Sequence, residues 1–155
     1  MNWMIAVLAL IIGCTSPQMD GTAPVPRRVP SEASKDFHLQ LSRKGCFGQC
    51  PQYDLTVSRD GGAVIVARRF MPFEGTATAR LNPEYLRKLV QDAHFNSMQC
   101  VSVIPDADEI RLTVTDGTSR HSVECSLTGG ETAPLTELVR KIHDAVLHAS
   151  WGARS

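Results

Sequence analysis
The residues of this sequence with reactive side chains are few and unevenly placed. Two thiols, Cys46 and Cys50, stand with three residues between them inside the run Lys44-Gly45-Cys46-Phe47-Gly48-Gln49-Cys50-Pro51-Gln52-Tyr53. Such a pair supports a structural disulfide, a thiol–disulfide exchange centre or half of a zinc site. Gly48 lets the backbone fold back to the roughly 5.5 Å Cα separation that a bridge needs. Exchange enzymes more often use two intervening residues and set the nucleophile at a helix N-terminus, where its pKa falls. Here Pro51 restricts Cys50 to extended geometry and launches a strand carrying Tyr53. Neither His38 nor His121 has ligand spacing to these thiols, so no metal is expected. The pair is read as a clamp, with thiol redox chemistry at Cys46/Cys50 as the alternative.

Cys100 and Cys125 are the other two thiols of the region after residue 36. Four thiols allow three connectivities, and the preferred set is 46–50 with 100–125. The second bridge would close a loop of about 25 residues and contribute roughly 3 kcal/mol on the chain-entropy model. Other reactive groups fall short of a catalytic pattern. Gly-x-Ser-x-Gly, His-Glu-x-x-His and a glycine-rich phosphate loop opening a helix are all missing. Asp106, Asp108 and Glu109 lack the glycine and distal glutamate of a calcium loop and read as a solvated turn. His143 and His148 do not share a helix face, whereas Asp144 and His148 do, as a surface pair. No catalytic residue and no cofactor are expected, and the chain is read as non-enzymatic.

The fifth cysteine, Cys14, belongs to an address. Trp3 to Ile12 is an apolar run too short to cross a bilayer as a helix. Leu10-Ile11-Ile12-Gly13-Cys14 looks like a bacterial lipobox, in which the cysteine thiol is acylated and becomes the mature N-terminus. Thr15 in place of aspartate then favours the outer membrane, facing the periplasm. Pro17, Pro24, Pro26 and Pro30, spread among Ser, Thr and charged residues, make a semi-extended tether up to about Lys35. The expected organisation is a signal peptide over 1–13, an acylated cysteine and tether over 14–35, a single domain over 36–151 and a tail over 152–155. Sixteen basic residues balance sixteen acidic ones, so no global field favours nucleic acid. The expected partners are the membrane, through palmitate on Cys14, and an envelope protein or ligand.

The domain's elements follow from periodicity. Phe37, Leu39 and Leu41 alternate with polar residues as a first strand. Tyr53, Leu55 and Val57 form a second, Asp60-Gly61-Gly62 a tight turn, and Ala63 to Phe70 a third strand. A weaker fourth covers Gly75 to Leu81. Asn82-Pro83 caps a helix with Tyr85, Leu86, Leu89, Val90 and Ala93 on its apolar face and Phe95 closing its end. Ile110, Leu112 and Val114 form a strand before an Asp116-Gly117 turn. Centring that turn on those two residues pairs Leu112 with His121 and Ile110 with Val123, and puts Cys125 on the apolar face. Gly129-Gly130 breaks the return strand. Leu135, Leu138, Val139, Ile142, Val146 and Ala149 stripe a second helix ending near Trp151. Strands clustered in hairpins predict an α+β domain, an antiparallel sheet of five to six strands with two amphipathic helices on one face.

Gly45-Cys46-Phe47-Gly48-Gln49-Cys50-Pro51-Gln52-Tyr53, followed by Asp60-Gly61, resembles the hallmark of a bacterial family known as domain of unknown function 6438. The resemblance spans about Phe37 to Trp151, with the acidic segment Asp106 to Glu109 before a strand and a closing amphipathic helix. It implies an exported or lipid-anchored protein and brings no activity. The chain departs from the pattern in having Ala67 where a glycine is common and in lacking a Pro-Thr pair after the acidic segment.

Overall fold
The computed structural model describes residues 36–46, 48–100, 104, 106–127 and 132–152. Within them the sheet has six strands, β1 (His38–Gly45), β2 (Tyr53–Val57), β3 (Gly62–Ala67), β4 (Gly75–Arg80), β5 (Glu109–Asp116) and β6 (Ser119–Ser126). Helix α1 (Pro83–Asp92) lies between β4 and β5 in the chain, and α2 (Ala133–Leu147) follows β6. The strand order is β4-β3-β2-β1-β5-β6, and every neighbouring pair is antiparallel. This is the expected α+β arrangement.

On the buried face, register stacks apolar side chains of successive strands into cross-strand rows. Ala77, Ile65, Leu55, Leu41, Leu112 and Val123 form the central row, all within 3% of full burial. Against that face α1 buries Leu86, Leu89 and Val90, and α2 buries Leu135, Leu138, Val139, Ile142 and Val146. Spacings of three and four residues keep each set on one side of its helix. The opposite sheet face carries Gln40, Thr56, Val64, Thr78 and Arg111, all exposed.

The local stops are chemical. The Asn82 side chain accepts from Glu84 N at 3.0 Å and Tyr85 N at 3.1 Å, and Pro83 opens α1. At the β2–β3 turn Gly61 has φ +83°, and a Cβ there would stand 2.3 Å from Leu81 O. Gly61 N donates to Ser58 O at 2.9 Å and Ser58 N to Gly62 O at 2.8 Å, so the loop is the three-residue kind that needs a left-handed third residue.

Three expectations are corrected here. The third strand stops at Ala67 and not at Phe70, because Phe70 takes φ +57°, outside any strand conformation. Tyr85 is 47% exposed, while Arg87, on the other flank of the α1 stripe, is buried. The guanidinium of Arg87 lies 5.2 Å from the Phe37 ring centroid, with its Nη2 3.1 Å from Asp116 Oδ1, so sheet and turn supply that cation with a face and a counter-charge. The last hairpin turns at Gly117-Thr118, with Asp116 opposite Ser119, so Leu112 pairs with Val123, Ile110 with Cys125 and Val114 with His121. Gly117 supplies the positive φ from the first central position, not the second. Moving the turn by one residue slips the pairing by two, and an even slip keeps every side chain on its face.

Both sheet edges are engaged. Gly152 N donates to Thr78 O of β4 at 2.8 Å. Beside β6, His121 Nε2 bonds Met98 O at 2.9 Å and Ile104 N donates to Ser126 Oγ at 2.7 Å, fastening the α1–β5 connection to an edge strand. We expect Asn82→Ala to cost about 1 kcal/mol in urea unfolding, since two backbone N–H groups lose their acceptor at a partly solvated helix end.

Candidate functional site
The two cysteine pairs brace the sheet at two places, the β1–β2 turn and the β6 edge. Cys46 and Cys50 are bridged with Cα atoms 5.6 Å apart, and Cys100 and Cys125 with Cα atoms 5.4 Å apart. Strand β1 reaches the first turn through an irregularity in which Arg43 faces Ile110 and Gly45 faces Glu109. Gly45 leaves the strand at φ +94°, which a Cβ would strain. Gly48 N then folds back onto Cys46 O at 2.8 Å, and the chain re-enters the sheet at Tyr53. No helix begins at either thiol. The exit of the turn is bound to the loop after β3, since Gln52 N donates to Arg69 O and Arg68 N to Gln52 O, each at 2.9 Å.

Behind this turn the register assembles a polar row inside the core. Ala67, Tyr53, Arg43, Ile110 and Cys125 lie opposite one another across five strands. The Arg43 side chain is 10% exposed and its Nη2 pairs with Asp108 Oδ2, on a carboxylate 13% exposed. Tyr53 is fully buried. Its hydroxyl lies 3.3 Å from His143 Nδ1 of α2, and the two rings stack at 5.6 Å with 19° between their planes. Burial pushes the Tyr53 phenol up to about 12, against the pull of the neighbouring Arg43 guanidinium. Burial, and next the same guanidinium, lower the pKa of His143, while Asp144 and Asp108 oppose them. The cluster therefore holds one ion pair, a neutral phenol and an imidazole biased towards neutrality. Arg43 Nε and Asp108 Oδ1 are buried without a hydrogen-bond partner among the described residues.

The corner beside the turn is apolar. Phe70 is 49% exposed at φ +57°, and Leu147 is 44% exposed. Met71, Pro72, Phe73, Val146, Leu147, Ala149 and Trp151 line a groove there. The Phe73 and Trp151 rings meet at 6.1 Å, and Trp151 Nε1 donates to Val146 O at 2.8 Å.

The structure thus places Cys46, Cys50, Cys100 and Cys125 in the two preferred pairs, whereas Cys14, with the rest of 1–35, lies outside the described residues, as do Phe47, Pro105, Gly129 and Gly130. Asp108 is corrected from a solvated loop residue to a partly buried ion-pair partner, because the register of β1 and β5 brings Arg43 beside it. Asp144 and His148 do not pair through their side chains. Asp144 holds Arg140 at 2.6 Å, while His148 Nδ1 bonds the Asp144 backbone carbonyl at 2.7 Å. His121 sits edge-on to Phe95 at 5.0 Å, as a partly buried sheet residue. Among the described residues, no group of three His, Cys, Asp or Glu side chains is placed to hold a metal ion. Sequence reasoning missed Arg43, although it continues the parity of Phe37, Leu39 and Leu41 and was marked for the buried face by that alone.

Six antiparallel strands with two helices on one face and two disulfides, one at the β1–β2 turn and one at the β6 edge, define a braced α+β domain. The chain belongs to the family described as Domain of unknown function (DUF6438), whose model matches residues 37–146. No curated protein matches the chain.

Two outcomes follow from the buried row. Asp108→Ala should cost about 3–5 kcal/mol in urea unfolding of the disulfide-intact protein, because it strands the Arg43 charge. The double variant Arg43→Met/Asp108→Leu should recover most of that loss; equal instability of the two would show that the charge is not the cause. For Tyr53, a folded-state pKa of about 12 against a reference of 10.0 means that the unfolded chain gives up its proton first on the alkaline side. That stability is complete below about pH 10 and is lost towards pH 12, by roughly 3 kcal/mol at most. Tyr53→Phe should flatten this alkaline decline in denaturation midpoints measured from pH 8 to 11.

Proposed function
We propose that the protein is a lipid-anchored bacterial envelope protein whose tethered domain works as a non-enzymatic interaction or binding module. The observation that carries this reading is the state of the sulfur. All four thiols of the domain are engaged in bridges, which suits an oxidising compartment. The lipobox-like Leu10-Ile11-Ile12-Gly13-Cys14 and the proline-rich tether supply the anchor, through palmitate on Cys14 and with Thr15 favouring the outer membrane. The ionisable cluster beside the cysteine turn is closed over by Tyr53 and α2, so the domain meets its surroundings through surface and not through an open reactive centre. An exposed, left-handed Phe70 next to the apolar groove supports action by contact, since a strained and solvated aromatic is costly to keep for folding alone.

A second reading, thiol–disulfide exchange at Cys46/Cys50, is favoured by one observation. That bridge is partly exposed, whereas Cys125 in the other is 1% exposed.

Alkyne-palmitate fed to cells should label the wild-type protein and leave Cys14→Ser unlabelled. Alkylation of the native mature protein without reductant should find none of the four domain thiols. A full-length, unacylated chain with free thiols in the cytosol would overturn the reading. A disulfide-reductase assay against Cys46→Ser decides the second, and turnover lost in that variant would establish it.

A further inference from the structure
The solvent face of the sheet is divided into two unlike halves. Towards Gly45 its charges neutralise one another. Lys44 pairs with Glu109 and, at 3.3 Å, with Glu124, while Arg111 holds Glu124 at 2.6 Å. Ser42 donates to Asp54 at 2.6 Å, and Arg68 takes the other oxygen of that carboxylate. Towards His38 the pattern changes. Register sets Thr56, Gln40, Thr113 and Ser122 in one row and His38, Thr115 and Arg120 in the next.

Between these rows lies a cleft of about 160 Å³ lined by His38, Gln40, Thr56, Thr113, Thr115 and Arg120. None of the six is acidic. Thr113 is tied to Ser122 at 2.8 Å. The side chains of His38, Gln40, Thr56, Thr115 and Arg120 have no hydrogen-bond or ion-pair partner among the described residues. The same face therefore spends its carboxylates on its cations at one end and leaves a guanidinium, an imidazole, an amide and hydroxyls converging at the other. At about 30 Å³ per water the space equals roughly five waters, which suits an oxyanion group and the few atoms that carry it. Arg120 offers a planar fork of donors matched to a carboxylate or phosphate, and the hydroxyls and the Gln40 amide can both donate to and accept from neighbouring hydroxyl groups.

We propose that this cleft is a binding site for a carboxylate or phosphate borne on a small hydroxylated ligand. Arg120 and His38 face the anion, and Gln40, Thr56, Thr113 and Thr115 bond the adjacent hydroxyls. The site is shallow and open, so its affinity is roughly millimolar and falls with ionic strength. The proposal rests on the binding-module reading but not on the lipid anchor. Its failure would remove this ligand class and leave the acylation and alkylation results standing.

The test is a titration of the isotope-labelled mature protein with glucuronate, glucose 6-phosphate, inorganic phosphate and glucose, followed through backbone amide resonances. Saturable shifts at Gln40, Thr113 and Thr115 are expected with the two sugar acids and not with glucose. The preferred acid identifies the anion, and inorganic phosphate shows how much the hydroxyls add. Arg120→Gln should weaken binding at least five-fold, whereas Arg111→Gln, at the neutralised end of the same face, should leave it unchanged; the spectra themselves report whether each variant is folded. Shifts that do not saturate by tens of millimolar, equal response to glucose, or equal loss in both variants would overturn the assignment.

Discussion
The Arg43–Asp108 pair is the constraint on which the rest of this domain depends. A guanidinium on the helix-covered side of a central strand has almost no access to water, and its charge is balanced there because a carboxylate has been brought to it. That requirement reaches outward in several directions. It fixes the end of β1 against the start of β5, where the ladder skips a residue and Gly45 turns away. It sets the field felt by Tyr53 and His143. It also explains why Asp108, just before β5, is turned inward against the core and not left in solvent. Ion pairs on the solvent face have no comparable reach, since each is solvated and screened by water and salt.

The two disulfides make sense in relation to that row. Cys125 is its last member, and its bridge to Cys100 draws the α1–β5 connection against β6, where His121 and Ser126 add hydrogen bonds. Cys46 and Cys50 close the turn between Arg43 and Tyr53, two members of the row on adjacent strands. One bridge restrains the chain just outside the ion pair, and the other anchors the far edge of the sheet. A sheet whose middle contains a buried charge gains little from apolar packing at that point, and covalent closure at the adjoining turn and at the β6 edge limits the openings through which water would reach it.

Much of the architecture was legible because it rests on period-two and period-3.6 patterns and on strong local chemistry. The Asn82-Pro83 start, the alternation of Leu39 with Leu41 and of Ile110 with Leu112, and the stripe from Leu135 to Val146 all report which face is buried. The errors came where a non-local partner decides the outcome. Arg87 displaced Tyr85 from the buried face because Phe37 and Asp116 stand opposite it, and no feature of the helix sequence names them. Asp108 read as solvated because its partner lies on another strand. The hairpin register erred because an Asp-Gly pair can occupy either of two frames of the same turn. Side-chain parity survived that error, so the placement of Cys125 beside the core did not depend on getting the pairs right.

The division of labour between the two faces of the sheet follows from the same physics. The helix-covered face concentrates the ionisable groups that are hardest to hide, and each is secured by a neighbour, so their chemistry is spent on structure. The solvent face needs no such closure, and there, among the described residues, Arg120 and His38 have no carboxylate partner while Lys44 and Arg111 are matched. An unmatched guanidinium on an exposed strand costs the fold little, since water solvates it, and burial does not hold it in place. What distinguishes the His38 end is therefore composition, set by register alone: His38, Thr115 and Arg120 fall side by side because β5 and β6 turn at Gly117-Thr118 and β1 enters the sheet beside them. A turn centred one residue earlier would have put Thr115 opposite Thr118 and moved Arg120 along the strand, so the same glycine that sets the hairpin also composes this surface.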